Sequence, residues 1–114
     1  MFADYEKIVL RTLTSGVLSP DQLGDIVENG TFVSYEYTGW GYFFSVSHSN
    51  LPSDRVTCSQ PIVIGSVNGI ECGFVVFIEN GELTLECYTS GSGDIAVTED
   101  FRTRNVQINV EPQN

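Results

Sequence analysis

Few residues in this sequence are of types that do chemistry, and their spacing limits what they can do. His48 is the single histidine of 114 residues, which excludes a multi-histidine metal site and any two-histidine acid–base scheme. A nucleophilic Cys–His pair would need the intervening loop to bring Cys58 to His48, and no helix terminus or basic cluster is expected there to activate the thiol. Cys58, Cys72 and Cys87 are three, so a fully paired disulfide framework is impossible, and with no Cys-x-x-Cys they make a poor zinc site. Each lies in or beside an apolar segment, so reduced, mostly buried thiols are expected. No metal and no cofactor is expected.

Carboxylates are plentiful. Glu36 and Glu86 fall mid-strand, where an acid on a partly apolar face can have a raised pKa. Paired acids of this kind could hydrolyse a glycosidic bond, or with His48 could line a small-molecule pocket in a curled sheet. The plainer reading is that an outward glutamate on a strand is solvated. Glu71, Glu79 and Glu82 are expected to gather at one end of the second hairpin region as an acidic rim, able to meet a basic partner or to guard a sheet edge. Gly39, Gly41, Gly69, Gly81, Gly91 and Gly93 fall between strands with no Lys-Ser/Thr after them, so they are turn residues and not a phosphate cradle. Trp40, held between two glycines at a hairpin tip, would resemble a binding anchor if its indole is exposed.

The elements that must position these residues follow from periodicity. Phe2, Tyr5, Ile8, Val9, Thr12 and Leu13 recur at spacings of three and four, the stripe of a first helix that Gly16 ends. Ser19-Pro20-Asp21-Gln22 then offers a capping hydroxyl, a proline at the first helical position and the Gln of a capping box. A second helix to about Glu28 would bury Leu23, Ile26 and Val27, with Asn29-Gly30 as a left-handed stop. After Gly30 the period becomes two and the residues turn β-branched and aromatic.

Thr31–Thr38 and Tyr42–His48 read as a hairpin. The register expected sets Gly39 opposite Tyr42, Tyr37 opposite Phe44, Tyr35 opposite Val46 and Val33 opposite His48. Leu51–Gln60 lacks a period and reads as a surface loop. Pro61–Val67 reads as a buried strand, and Asn68-Gly69 as a turn. Cys72–Glu79 leads into Asn80-Gly81, the dipeptide best suited to the two positive φ angles of a type I′ hairpin. That turn pairs Glu79 with Glu82, Ile78 with Leu83, Val76 with Leu85 and Phe74 with Cys87, an apolar ladder that leaves Cys72 and Cys87 diagonal and too far apart for an unstrained disulfide. Ser90–Gly93 reads as a loop and Asp94–Arg104 is ambiguous. Val106, Ile108 and Val110 alternate with polar residues as a last strand.

The fold class expected is therefore α+β: one domain over residues 1–114, with two short N-terminal helices packed on one face of a curved, mostly antiparallel sheet of about six strands. The opposite face would carry Phe43, Val75, Phe77, Glu86 and Tyr88, more aromatic area than a fully solvated face usually shows. Either the sheet curls over itself, or another chain covers that face.

The formal charge of −10, from 15 acidic and 5 basic residues, repels nucleic acid and anionic membranes and favours encounter with a basic protein. The first seven residues carry charges where a leader peptide needs an apolar run, and no run of about 18 apolar residues occurs, so a soluble cytoplasmic protein is expected.

Gly73-Phe74-Val75-Val76-Phe77-Ile78-Glu79-Asn80-Gly81-Glu82-Leu83-Thr84-Leu85-Glu86-Cys87-Tyr88-Thr89, with Asp100-Phe101-Arg102 further on, resembles a segment of small bacterial proteins of unknown function, some of them immunity-like. Those proteins often carry Trp-Pro or Leu-Pro just after the hairpin, and Asp94–Glu99 has neither. The resemblance implies a bacterial cytosolic domain without known catalysis, and it assigns no functional residues. Chemistry and resemblance together favour a non-enzymatic binding domain with a basic protein partner, over a small-molecule binder or hydrolase using Glu36, Glu86 or His48, and over a structural homodimer. Trp40, Phe43, Val75, Phe77, Glu86 and Tyr88 are the candidate binding residues.

Overall fold

The computed structural model describes residues 1–67, 69–89 and 105–111. Ser90–Gly93, Asp94–Arg104 with its Asp100-Phe101-Arg102, and Asn68 of the expected turn lie outside the described residues.

Two helices come first, α1 (Asp4–Thr14) and α2 (Pro20–Asn29). The buried stripe of α1 is rotated from the one its apolar residues suggested: Phe2, Tyr5, Glu6, Val9, Leu10, Leu13 and Thr14 are buried, Ile8 is exposed and Thr12 is half-buried. The reason is a polar one, because Glu6 turns inward to hydrogen-bond partners described below. At α2 the capping box forms, with the Gln22 N–H donating to Ser19 Oγ at 3.1 Å and the Ser19 N–H donating to Gln22 Oε1 at 2.8 Å. Gly30 does not make the expected left-handed stop. It is extended (φ −62°, ψ 147°) and donates its N–H to the Ile26 carbonyl, because the chain passes straight from the helix into a strand at Thr31.

Among the described residues seven strands follow: β1 (Thr31–Tyr37), β2 (Gly41–Ser47), β3 (Val56–Cys58), β4 (Val63–Val67), β5 (Ile70–Glu79), β6 (Glu82–Thr89) and β7 (Gln107–Val110). They form one antiparallel sheet in the order β1-β2-β6-β5-β4-β7, and β3 also pairs with β5. β5 thus shares its second edge between β4, along Ile70–Gly73, and β3, along Val76–Ile78. The segment read as a surface loop therefore contains a strand and two buried anchors, Leu51 and Cys58. It is also tied to the hairpin tip, where Asn80 and Gly81 donate to the Ser53 and Pro52 carbonyls.

The β5–β6 hairpin has the expected register throughout, with Asn80 at φ 54° and Gly81 at φ 75°. The first hairpin does not. Tyr37 pairs with Tyr42 and Tyr35 with Phe44, two positions from the expected register, because Gly39 and Trp40 form the tip and Gly41 belongs to the strand. A bulge between Phe32 and Ser34 then leaves Val33 unpaired and puts Phe32 opposite Val46. Parity survives for the tyrosines, so the same face of β2 still meets the core.

The core lies between the helices and one sheet face. Tyr42, Phe44 and Val46 of β2, Leu83, Leu85 and Cys87 of β6, and Cys72, Phe74, Val76 and Ile78 of β5 are buried there with Phe2, Tyr5, Val9, Leu10 and Ile26. Phe2 packs on Phe44 with ring centroids 4.9 Å apart, and Tyr5 on Phe74 at 6.1 Å. Within this layer Glu6 is fully buried. Its Oε1 accepts from the Ala3 N–H at 2.7 Å and its Oε2 from the Tyr42 hydroxyl at 2.6 Å. Since the Tyr42 proton is committed to Glu6, Tyr5 donates to Tyr42 at 2.5 Å. Burial first, then the nearby carboxyl, pushes the Tyr42 hydroxyl upward, and burial raises Tyr5 as well. Among the described residues no helix is long and apolar enough to cross a membrane.

Candidate functional site

The second sheet face carries no helix among the described elements. Cross-strand pairing fixes which side chains share it, because paired residues point to the same side. One row runs Glu36–Phe43–Glu86–Val75 across β1, β2, β6 and β5. The next runs Ser34–Ser45–Thr84–Phe77–Thr57 and ends on β3, with Ser45 and Thr84 hydroxyls hydrogen-bonded at 2.7 Å. On the other side of the Glu86 row lies Gly41–Tyr88–Gly73–Ile64. A Cβ placed on Gly73 would sit 2.6 Å from Tyr88 Cζ, so the phenol ring lies over Gly73, toward β5. Gly41, on the β2 side of Tyr88, puts no side chain on the face.

Five of the six candidate residues are thereby brought together. Phe43, Val75, Phe77 and Glu86 are half-buried and Tyr88 is exposed. Trp40 is exposed at the tip of the β1–β2 turn, where its carbonyl accepts from the Thr89 N–H at 2.8 Å, one residue beyond the Gly41–Tyr88 pair. Partial burial raises the Glu86 carboxyl above its ordinary value. The folded chain then binds that proton more tightly than the unfolded chain, so stability at this position falls as pH rises from the ordinary carboxylate range through the raised value. Glu86→Gln should give a modest rise in melting temperature near neutral pH that vanishes below about pH 4. Thermal melts across that range check it, and a gain independent of pH would refute the assignment.

The acidic rim is divided. Glu79 and Glu82 pair directly beside the Asn80-Gly81 turn, but Glu71 lies near the other end of β5, so the three do not gather. The reason is length: β5 has ten residues, which separates its ends by roughly 30 Å.

Candidates for catalysis are dispersed. Glu36 and Glu86 share a row with Phe43 between them, about 10 Å apart across two strand spacings, and Glu36 is exposed. His48 is not opposite Val33 on the apolar face. The β1 bulge and the shifted register leave it just beyond β2, where both ring nitrogens are taken. Nδ1 accepts from the Asn50 N–H at 2.9 Å, so Nε2 carries the proton that points to Asp25 Oδ2 at 3.2 Å. Asp25 also accepts from Asn29 and Asn50, which fastens α2 to the segment after β2. A shallow open cleft borders His48, lined with Asn29, Thr31, Ser47, Ser49 and Gly81, but the imidazole has no nitrogen left for a substrate.

Cys58 is buried in β3 opposite Val76, and burial pushes its thiol up, the reverse of what a nucleophile needs. None of the three thiols is joined in a disulfide among the described residues, and all are buried. A hydrogen bond with Cys87 draws Cys72 below the ordinary thiol value, against the upward push of burial. Among the described residues no three His, Cys, Asp or Glu side chains are grouped to hold a metal ion.

The Glu6–Tyr42–Tyr5 chain was missed from the sequence. A signal existed: Glu6 follows Phe2 by four and precedes Val9 by three, inside the apolar stripe. Neither a protein-family model, nor a curated protein, nor a solved structure matches this chain.

Proposed function

We propose that this chain is a non-enzymatic interaction domain of the bacterial cytosol whose outer sheet face docks a basic protein, and that restraint of a basic toxin, as by an immunity protein, is its role. The observation that carries this reading is the pairing of apolar area with one sign of charge on that face. Phe43, Val75, Phe77, Ile64 and Tyr88 supply the apolar part, and Glu36, Glu71, Glu79, Glu82 and Glu86 are the charged residues the strands place around them. None of these strands adds a Lys or Arg to the face among the described residues. The bases that are described, Lys7 and Arg11 on α1 and Arg55 before β3, belong to the helical layer and to a loop. Such an asymmetry orients a basic partner toward the sheet during encounter. It also opposes self-association through this face, since two copies would set their glutamates against each other. The likeness of the β5–β6 hairpin to immunity-like bacterial proteins supports the same reading.

The test is a titration of the chain against a small basic protein recovered with it from its source cells, read by calorimetry. Affinity should fall about tenfold or more as salt rises from about 0.05 to 0.5 M. Phe77→Ala should weaken binding by about tenfold or more, as truncation of an aromatic anchor does, whereas Lys7→Ala should leave it unchanged. Salt-independent binding, or binding indifferent to Phe77, would refute the proposal, and a dimer by sedimentation would assign the face to a second copy instead.

A further inference from the structure

Among the described residues, only one charged group of the outer face lies away from its margins. Glu86 is in the middle of β6, beside Phe43 on one flank and Val75 on the other, with Thr84 and Tyr88 two residues away on its own strand. Glu36 belongs to the edge strand β1, and Glu71, Glu79 and Glu82 stand at strand ends, all four exposed. Glu86 alone is half-buried, and no hydrogen bond or salt bridge joins it to another described residue. A carboxylate held against a phenyl ring without a partner loses hydration that nothing in the described chain returns.

Among the described residues, the space next to it is open on one side. The Tyr88 ring leans away over Gly73, and Gly41, diagonal to Glu86, has no side chain. Phe43, Glu86 and Tyr88 thus bound three sides of a bay whose fourth position is bare. An aromatic ring beside an unpaired carboxylate suits a planar, weakly hydrated cation that can stack on the ring while forking onto both oxygens. That is a guanidinium. An ammonium is compact and strongly hydrated and would give up more water for a single contact.

We infer that Glu86 is the anchor for one arginine side chain of the basic partner, with the guanidinium stacked on Phe43 and entering over Gly41. The inference rests on the outer face being the docking surface and adds the chemical identity of the residue recognised. Phe43 and Glu86 act together, the ring setting the plane and the carboxylate taking the two N–H groups.

The probe is the blocked peptide acetyl-Gly-Arg-Gly-amide, titrated into the full isotope-labelled chain and followed by amide chemical shifts, with the lysine peptide as its comparison. The arginine peptide should move amides around Phe43, Glu86 and Tyr88 and bind about fivefold or more tightly than the lysine peptide. Glu86→Gln should erase that preference, and Phe43→Leu should reduce it about threefold. Both variants are checked for an unchanged spectrum away from the bay. Equal shifts from the two peptides, retention of the preference in Glu86→Gln, or shifts confined to other surfaces would each overturn the anchor. Those results are separable from failure of the docking reading: salt-dependent binding of the basic protein that depends on Phe77 but not on Glu86 keeps the face and removes the anchor. Selective arginine binding at Glu86 with no basic protein bound does the opposite.

Discussion

Tyr42→Phe is expected to destabilise the protein by about 3 kcal/mol, the upper range for removing one partner of a buried hydrogen bond. The change removes one oxygen and leaves the ring packed where it is. Its cost arises from what stays behind: Glu6 Oε2 loses the donor it has at 2.6 Å, and the Tyr5 hydroxyl loses its acceptor. Glu6 is fully buried, so water cannot step in without opening the layer between α1 and β2. The same substitution made in a Glu6→Leu background should cost under about 1 kcal/mol, because the carboxyl that the Tyr42 hydroxyl serves is gone. Denaturant unfolding of the four proteins in this cycle gives the coupling directly. Additive effects would show that the three side chains are neighbours and not a hydrogen-bonded unit.

Gly41→Ala is expected to cost more than about 4 kcal/mol, enough to leave much of the chain unfolded at ordinary temperature. A Cβ at this position would lie 1.8 Å from the Cys87 carbonyl oxygen, and the backbone has φ 155°. Neither the oxygen nor the strand carrying it can yield, since Gly41 and Tyr88 are the first rung of the β2–β6 ladder. Gly39→Ala makes a useful contrast. It too has a positive φ, 85°, but nothing lies within 4 Å of its Cβ position, so the cost is limited to backbone strain of about 1–2 kcal/mol. Thermal unfolding of both variants separates the two glycines, and equal losses would mean that conformation and not crowding governs position 41.

That pair of glycines also explains where the sequence could be read and where it could not. Asn80-Gly81 admits one turn, so the register of β5 and β6 and the identity of their faces followed from two residues. Gly39-Trp40-Gly41 admits two turns that differ by two positions. Both put Tyr35 and Tyr37 on the same face as Tyr42 and Phe44, so the hydrophobic pattern had no means of choosing between them. The choice is made by the close approach of Gly41 to β6, a contact with a strand 46 residues further on that no local pattern encodes. The outer-face residues were legible all the same, since a shift of two preserves parity. Val33 and His48 were not, because the bulge at Val33 changes parity beyond it. β3 escaped notice because Val56–Cys58 is too short to show a period. Glu6 escaped because a charge on a helix is expected outward, and its inward turn depends on tyrosines from two different elements.

The union of β2 with β6 sets the order in which the molecule can be built. Each of the two hairpins closes over a turn of a few residues, but Ser45 and Thr84, which meet across β2 and β6, are 39 residues apart in the chain. Closing that distance carries a chain-entropy cost that neither hairpin faces alone, and it precedes any reward from the layer around Tyr42. Assembly is then expected to run through two locally formed units and one late docking event. Sequence changes at the β2–β6 seam should slow the approach to the native state, while changes confined to the tip of either hairpin should leave that step nearly untouched.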